Sequence, residues 1–316
     1  MSIWEEVKNG GAPEGWSWLD SYRIECHPGH EGLLRTADLD TIAGMLRCEE
    51  GHLIDPQPNQ NKNEVRRLEV EHEGVTYKLF LKRYYNYRLR SIWRRAFRGA
   101  IFPPSVVKAE HDNLELLKSW GLHVPESVVY GEHRFAGALI NGYLVSLEIP
   151  DAMGLDYLIR EWLPQQDAAL QQETRTILIG HLADAVRIMH ENGFEHHDLF
   201  FRNIMISGLD FTKLYMMDAP RGRCWPRFVI RRLRVNDLAT LDAAAVFMFR
   251  NTERLKFMLR YLGRERLSAE DKELIRKILM RSNPQRERQI VRLERAIIID
   301  EEGKAQYVKP NDDSET

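Results

Sequence analysis

The chain contains 316 residues, of which 43% are hydrophobic and 29% charged, and its formal net charge is -2. A chain of this length can bury a substantial core, either in one large domain or in two lobes. The near-neutral charge excludes a general electrostatic attraction to nucleic acid or to membranes, so no nucleic-acid partner is expected.

Three further features favour a soluble, cytoplasmic protein. The cysteines, Cys26, Cys48 and Cys224, form no C-x-x-C pair, so they suggest neither a disulfide framework nor a zinc site. The N-terminus lacks the basic and apolar regions of a secretory signal. No run of 18 apolar residues occurs, so no transmembrane helix is expected.

The pattern of predicted elements changes once along the chain. Residues 1–50 are interpreted as an irregular N-terminal arm, and residues 51–149 are rich in predicted strands. Residues 150–309 are mainly helical in pattern, and residues 310–316 form an acidic tail that is predicted to be disordered. This change indicates two lobes, with a hinge near residues 147–151.

The predicted strands begin with a hairpin. Apolar and polar residues alternate over residues 67–82 on both sides of Glu73-Gly74, which places Lys82 near the end of the second strand. A helix is predicted over residues 106–120, ending at Gly121. Further strands are predicted over residues 128–130 and 139–149.

The second part of the chain is predicted to be helical on both sides of one polar segment. The first helix covers residues 169–191 and is capped by Asn192-Gly193. Two more helices are predicted over residues 236–262 and 268–295.

The polar segment contains an aspartate, an amide five residues later and a second aspartate fifteen residues further on. These are Asp198, Asn203 and Asp218, and short apolar runs flank them. Asp198 is the candidate catalytic base, which would orient and deprotonate an acceptor hydroxyl. Asn203 and Asp218 are candidate Mg²⁺ ligands, because this cation prefers oxygen donors. The spacing fits the kinase signature H-x-D-L-x-x-x-N followed by a metal-binding aspartate.

The strand-rich part supplies candidates for binding ATP. Lys82 would contact the phosphates, although Lys78 lies on the same strand face and alternation cannot separate the two. Glu110 on the 106–120 helix is the candidate partner of the lysine, with Glu115 as the alternative. Glu148, near the hinge, is a further candidate for binding the nucleotide.

Two clusters of arginine could contact anionic molecules. The first is interleaved with aromatic residues over residues 83–98, and such a segment can bind an anionic membrane surface, a phosphorylated glycan or nucleic acid. The second follows Asp218 and would suit an anionic acceptor; it comprises Arg221, Arg223, Arg227, Arg231, Arg232 and Arg234. A solvated surface is an equally good interpretation of either cluster.

Over roughly residues 65–245, the chain resembles the Kdo/WaaP lipopolysaccharide kinase family, bacterial relatives of the eukaryotic-type protein kinases. The resemblance depends on these segments: Leu81-Lys82-Arg83-Tyr84, Lys108-Ala109-Glu110, Leu117, Gly121, Val124-Pro125, His197-Asp198-Leu199, Asn203, Met217-Asp218 and Asn236-Asp237-Leu238-Ala239.

The resemblance implies an α+β, bilobal protein-kinase-like fold with an antiparallel-sheet N-lobe and a mainly helical C-lobe. It also implies transfer of phosphate from ATP, with Mg²⁺, to a sugar hydroxyl of the lipopolysaccharide inner core. The acceptor would be a heptose or Kdo of the core glycolipid, reached through peripheral contact with the inner membrane at its cytoplasmic face.

The chain departs from the kinase pattern at three places. No G-x-G-x-x-G precedes the hairpin, so the polar loop at 51–64 would have to cover the phosphates. His197 replaces the arginine of H-R-D, so control by a phosphorylated activation loop is not expected. Asp218-Ala219-Pro220 replaces D-F-G. Asp237 is expected to brace the catalytic loop without taking part in the chemistry.

Two alternative functions stay open at this point. One is a small-molecule or protein kinase of the same fold, and the other is a pseudokinase scaffold that binds nucleotide without turnover. The presence of Lys82, Asp198, Asn203 and Asp218 together argues against the scaffold.

Overall fold

The computed structural model of the chain describes residues 20–54, 63–85, 105–135, 138–293, 296–299 and 305–308. The chain divides into two compact units. The sheet unit contains Met1–Asp112, Pro125–Glu148 and Ile299–Gln306, and the helical unit contains Asn113–Val124, Ile149–Ile298 and Tyr307–Thr316. The boundary at residues 148/149 lies within the predicted hinge.

The sheet unit is built on six antiparallel strands in the order β1-β5-β6-β4-β3-β2. The strands are β1 (Asp20–Cys26), β2 (His52–Leu53), β3 (Asn63–His72), β4 (Val75–Tyr85), β5 (Ser127–Phe135) and β6 (Ala138–Leu147). Two short helices accompany them, α1 (Glu31–Thr36) and α2 (Ile42–Arg47), together with the first half of α3 (Val106–Ser119), whose residues from Asn113 onward belong to the helical unit.

The predicted hairpin is the β3–β4 pair. His72 pairs with Val75, so Glu73 and Gly74 form a two-residue turn. Both residues have positive φ, 53° and 75° respectively, which is the geometry of the type I′ turn that matches the twist of a hairpin.

The two faces of the sheet are covered by different helices. Residues of α1 and α2 pack with alternate residues of β4, β5 and β6, such as Leu81, Val129 and Val145. The intervening residues of the same strands, such as Tyr84 and Leu144, pack against Val107 of α3. Because side chains of a strand point to opposite faces in turn, Lys82 and Tyr84 lie on the α3 face.

Residues 20–47 therefore belong to the sheet unit, in contrast to the irregular arm predicted for residues 1–50. They form β1, α1 and α2, and β1 pairs with β5 over its whole length. The apolar residues that bury these elements include Leu33, Leu34 and Met45, none more than 3% exposed. These helices are too short to show a periodic apolar pattern in the sequence, because α1 and α2 have only 6 residues each.

The helical unit contains four long helices: α4 (Ala168–Glu191), α5 (Arg227–Met248), α6 (Asn251–Leu262) and α7 (Ala269–Leu293). Short helical turns precede α4 at Leu155–Tyr157, Leu158–Trp162 and Leu163–Gln165. Its strands are β7 (Ala152–Gly154), β8 (Phe194–Glu195), β9 (Ile204–Ser207), β10 (Leu214–Met216) and β11 (Arg223–Cys224). The order is β10-β9-β7 in one small sheet and β11-β8 in another. The strands β12 (Ala296–Ile299) and β13 (Ala305–Val308) pair with each other.

The helix predicted over residues 236–262 is two helices, α5 and α6. Phe249 has extended backbone angles that end α5, and the side chain of Glu253 accepts the main-chain N–H of Arg250 at 2.7 Å to cap α6. The apolar pattern of the sequence continues across this break, so periodicity alone does not reveal it. The break depends on a local helix cap. Among the described residues, no helix combines the length and the apolar character needed to cross a membrane.

Arg83 lies in the core of the sheet unit and is only 3% exposed. Its guanidinium donates to the carbonyl of Met45 at 2.9 Å, to the carbonyl of Cys48, and to Glu64 at 3.0 Å. The prediction that Arg83 begins a surface cluster of basic residues is wrong, because this side chain ties β4 to the end of α2. The remaining members of that cluster, from residue 86 to residue 98, lie outside the described residues.

We expect Arg83→Met to destabilise the protein by about 2–4 kcal/mol, because two main-chain carbonyls and one carboxylate lose a buried donor. Urea denaturation followed by circular dichroism measures the change. Arg35→Met is the matched control, since Arg35 is exposed and its nearest carboxylate contact is 3.9 Å away; its effect should stay within about 0.5 kcal/mol. Equal stabilities of the two variants would contradict this role of Arg83.

Candidate active site

The structure brings Lys82 and Glu110 together in the sheet unit. The Nζ atom of Lys82 lies 3.0 Å from Oε1 and 3.2 Å from Oε2 of Glu110. The glutamate is buried and the lysine half-buried, with side-chain exposures of 5% and 20%. The competing residue Lys78 lies four residues earlier on the same strand and is exposed. The pair therefore joins the end of β4 to the first half of α3.

Tyr84 contacts both members of this pair, a role that was not predicted from the sequence. Its hydroxyl donates to Oε2 of Glu110 at 2.6 Å, and its ring centroid lies 5.3 Å from the Lys82 ammonium. Burial, followed by the charge of Glu110, raises the pKa of Tyr84, so the hydroxyl stays protonated and keeps donating. The signal was present in the sequence, because Tyr84 follows Lys82 at the two-residue spacing of one strand face.

Glu148 is not part of this group of side chains. Its carboxylate accepts two hydrogen bonds from Arg67 on β3, at 2.7 Å from Nε and 3.3 Å from Nη2. Its main-chain N–H donates to the carbonyl of Lys78 at 2.8 Å. The side chain of Glu148 is therefore committed to a bidentate ion pair.

In the helical unit, a tight turn leads from α4 into the predicted catalytic loop. Gly193 has a φ of 82°, and a Cβ atom there would lie 2.4 Å from the carbonyl oxygen of Trp225. Glycine is needed on both counts, for the left-handed backbone and for the close approach. The chain then enters β8, which pairs with β11 and delivers His196, His197 and Asp198 to the loop.

The loop brings Asp198 and Asn203 together. The side-chain Nδ2 of Asn203 donates to the main-chain carbonyl of Asp198 at 2.8 Å. The main-chain carbonyl of Asn203 accepts the N–H of Met217 at 2.9 Å. Asn203 therefore contacts the residue that immediately precedes Asp218. Because Nδ2 is used within the loop, Oδ1 is the atom with which Asn203 could bind a cation.

Asp218 begins a turn that follows β10. It has a φ of 57°, which is uncommon for a residue other than glycine. Asn113 on α3 holds the turn, since its Nδ2 donates to the carbonyls of Ala219 and Gly222 at 2.7 Å and 3.0 Å. A Cβ atom on Gly222 would lie 2.3 Å from the ring of Phe194, so the turn packs closely on β8. Sequence analysis missed Asn113, although it lies three residues after Glu110 on the same helix.

Asp237 braces the loop that is predicted to be catalytic, as expected from the sequence. Its carboxylate is fully buried and accepts the main-chain N–H groups of His196 at 2.7 Å and His197 at 2.9 Å. The ring of His190 contacts the same carboxylate at 3.3 Å. Burial alone would raise the pKa of Asp237, but the His190 contact and the loop N–H groups outweigh it and hold that pKa below its usual value.

A second buried carboxylate, Glu195, organises the other side of the loop. It accepts Nε1 of Trp225 at 3.1 Å and Nδ2 of Asn236 at 2.7 Å, and His197 lies 3.4 Å from it. His197 has a φ of 72° and stands where H-R-D kinases have arginine. Glu195 is adjacent to the motif in sequence, but nothing in its spacing indicated that it is 1% exposed.

The arginine cluster after Asp218 divides into two parts. Arg221 lies in the turn, with Nη1 3.4 Å from Oδ1 of Asp198, and its side chain is 66% exposed. Arg223 lies on β11, and the remaining four arginines lie on α5: Arg227, Arg231, Arg232 and Arg234. Arg221 is the member of the cluster that contacts a predicted site residue.

The loop and the turn together carry oxygen atoms that could bind a divalent cation and a carboxylate that could accept a proton. Asp198 presents a carboxylate that is 24% exposed. Asn203 and Asp218 supply an amide oxygen and a carboxylate, which are hard ligands suited to Mg²⁺. In the sheet unit, the ammonium of Lys82, oriented by Glu110, suits an anionic phosphate.

The chain is similar to known proteins both in sequence and in structure. A sequence model of the lipopolysaccharide kinase (Kdo/WaaP) family matches residues 58–271. The structure of WaaP in complex with acyl carrier protein is similar at a TM-score of 0.56 and 18% identity, covering 86% of this chain and 99% of that one. An aminoglycoside-3'-phosphotransferase of type VIII matches at a TM-score of 0.46 and 14% identity, covering 75% and 96%. No curated protein matches by sequence.

The likeness to WaaP confirms the predicted fold class, an α+β protein-kinase-like fold with an antiparallel sheet in its N-lobe and a mainly helical C-lobe. The family match confirms the resemblance from which this fold was predicted.

We expect Asp237→Asn to lower the free energy of unfolding at pH 7 by about 1.5–3 kcal/mol, because charge-assisted hydrogen bonds to two N–H groups are lost. A carboxyl whose folded pKa is depressed stabilises the protein above its unfolded pKa of about 3.9 and loses that effect as pH falls through the folded pKa. The difference between wild type and variant should therefore shrink below about pH 4.

Urea titrations from pH 7 to pH 3 measure this difference. Glu173→Gln, an exposed change on α4, is the control and should show no such narrowing. A pH-independent difference for Asp237→Asn would show that the charge of Asp237 does not stabilise the loop.

Proposed function

Because the chain belongs to the Kdo/WaaP lipopolysaccharide kinase family and is thus a phosphotransferase, we propose that it transfers the γ-phosphate of ATP, with Mg²⁺, to a sugar hydroxyl of the lipopolysaccharide inner core. The acceptor is a heptose or a Kdo residue. One observation carries the proposal: the loop of Asp198 and Asn203 is tied to the Asp218 turn by main-chain contacts and braced by the buried Asp237.

Asp198 acts in this proposal as the general base. Its carboxylate is partly exposed, so an acceptor hydroxyl can reach it, and the Asn203 contact holds its main chain. As the sugar oxygen attacks the γ-phosphorus, the bond from that phosphorus to the β,γ-bridging oxygen breaks, ADP leaves, and the hydroxyl proton passes to Asp198. Asn203 Oδ1 and the Asp218 carboxylate would hold Mg²⁺, which supplies charge neutralisation on the phosphate oxygens.

Lys82 serves to bind the phosphates of ATP. Glu110 holds the ammonium from one side with both carboxylate oxygens, and Tyr84 fixes that carboxylate in turn. A lysine held in this way loses little conformational entropy when the nucleotide arrives. For Glu148, whose carboxylate is bound to Arg67 and whose N–H donates to Lys78, we propose a nucleotide contact through the main-chain carbonyl.

An anionic acceptor fits the surroundings of Asp198. The exposed guanidinium of Arg221 can pair with a carboxylate or phosphate next to the reacting hydroxyl, and Kdo carries a carboxylate. Peripheral contact with the cytoplasmic face of the inner membrane is part of the same proposal, because the acceptor is a glycolipid. The segment expected to make that contact covers residues 83–98, and its residues 86–98 lie outside the described part of the chain.

The alternative acceptors are a small molecule or a protein, and the alternative role is that of a nucleotide-binding scaffold. A scaffold has no need of a base, so the braced Asp198 favours an enzyme. Transfer of labelled phosphate from ATP to a panel of core glycolipids decides between the acceptors, with casein as a protein acceptor. Label that goes only to casein, or to no acceptor, would refute the sugar-kinase proposal.

We expect Asp198→Ala to lower kcat by about 10²–10⁴-fold with ATP affinity nearly unchanged, because only the base is lost. Asp218→Ala should instead weaken binding of the magnesium–nucleotide complex, because a cation ligand is lost. Single-turnover kinetics and nucleotide titration measure the two effects. Asp210→Ala, at an exposed position of the helical unit, is the control. Normal turnover of Asp198→Ala would refute the base assignment.

We further propose that the chain binds an acyl carrier protein, the partner present in the similar WaaP structure. The observation that favours it is an apolar cavity of about 370 Å³ in the helical unit. Among its lining residues are Leu178, Leu182, Phe201, Leu241 and Ala245. A cavity of this volume and lining suits an aliphatic chain, the group that a loaded acyl carrier protein presents.

Filling the cavity tests this partner. Ala245→Phe should reduce the affinity for hexadecanoyl acyl carrier protein at least about tenfold, because the larger side chain leaves room to bury less of the acyl chain. The weaker binding of the unacylated carrier should stay unchanged. Fluorescence anisotropy measures both, and Leu209→Trp, at a residue that is 67% exposed, is the control. Equal affinity of wild-type protein for the acylated and unacylated carriers would contradict the role of the cavity.

A further inference from the structure

Three side chains able to bind a metal ion lie close together in the sheet unit, outside the site proposed for phosphate transfer. They are His27, which follows β1, His30, which precedes α1, and Glu126, which precedes β5. One ligand atom of each lies within 4.8 Å of those of the other two. All three residues are half-buried, so an ion there would be partly shielded from water while still having a path of entry.

The distances within this histidine–glutamate cluster suit a small divalent ion. Ligand atoms on a common ion with bonds of about 2.1 Å lie about 3.0–3.4 Å apart. Nε2 of His30 and Oε1 of Glu126 are already 3.0 Å apart. The His27 ligand atom would need to approach by less than about 2 Å, a shift that one side-chain rotation can supply.

The main chain around the cluster is held in place. The N–H of His27 donates to the carbonyl of Val128 at 2.7 Å, which continues the β1–β5 pairing to the cluster. Gly29, with a φ of 94°, forms the turn between the two histidines, and its N–H donates to Glu31 at 2.9 Å. The two imidazoles therefore project from a closed turn of fixed geometry, three residues apart.

A contact with a main-chain carbonyl orients the ring of His27. Nδ1 of His27 lies 3.1 Å from the carbonyl oxygen of Pro28. A carbonyl can only accept, so Nδ1 carries the proton and Nε2 carries the lone pair. Metal-binding histidines commonly donate their other ring N–H to a main-chain carbonyl in this way, which orients the ring and strengthens it as a ligand.

We propose that His27, His30 and Glu126 form a binding site for Zn²⁺ that joins the β1–α1 segment to the start of β5. Two imidazoles and one carboxylate match the borderline ligand preference of Zn²⁺, and water completes a four-coordinate site. They do not suit Mg²⁺, which prefers oxygen donors alone. The bound ion connects parts of the chain about 100 residues apart and stabilises the folded sheet unit.

The experiment uses the full chain, treated with a chelator and kept free of nucleotide. Calorimetric titration with Zn²⁺ should show one equivalent bound. Co²⁺ should produce the intense visible absorption of a four-coordinate site. Zn²⁺ at 100 times its Kd should raise Tm by at least about 4 °C. Asp218→Ala should leave all three results unchanged, which separates this site from the one proposed for Mg²⁺.

His27→Ala and Glu126→Gln should each weaken Zn²⁺ binding at least tenfold and, at the same Zn²⁺ concentration, reduce the rise in Tm to about half or less. His52→Ala, an exposed histidine of the same unit, should do neither. His27 is the sharper test, because Glu126→Gln also removes an ion pair with His30. Wild-type affinity in both variants, or Zn²⁺ binding that is lost in Asp218→Ala, would overturn the proposal.

Discussion

The carboxylate of Asp237 reaches from α5 to the loop of His196, His197 and Asp198 and accepts two of its main-chain N–H groups, at 2.7 Å and 2.9 Å. The loop has little regular structure of its own, so its conformation depends on partners of this kind. The interaction is buried, and in a medium of low dielectric constant a satisfied charge is held firmly while an unsatisfied one is costly. The position of the Asp198 main chain, and that of Asn203 bonded to it, follows from this anchor.

In the sheet unit too, a buried carboxylate holds a candidate site residue in place, here through an ion pair with a lysine. The ammonium of Lys82 contacts both oxygens of a buried glutamate, and the Tyr84 hydroxyl occupies one of those oxygens as well. Each group is oriented by a neighbour whose own position depends on a strand or a helix. The candidate site residues in both units are therefore held by rigid elements and by secondary contacts, an arrangement that suits the proposed catalysis by positioning.

The local parts of this structure could be predicted because they depend on short-range physics. Alternation predicts the β3–β4 hairpin, and the Asn192-Gly193 cap predicts the end of α4. The short helices α1 and α2 could not be predicted, because two turns provide too few apolar residues to define a face. The same limit hid the break between α5 and α6, where the Arg250–Glu253 cap interrupts one continuous apolar pattern.

The sequence by itself determined the family and the spacing of Asp198, Asn203 and Asp218, because both are properties of the residue order along the chain. Only the tertiary structure decided that Lys82, and not Lys78, pairs with Glu110, and that the carboxylate of Glu148 pairs with Arg67. It also brought Asn113 to the Asp218 turn and His27 to Glu126. Each of these contacts joins residues 28 or more positions apart in the chain. Such contacts depend on how strands and helices pack, and neither strand nor helix periodicity carries that information.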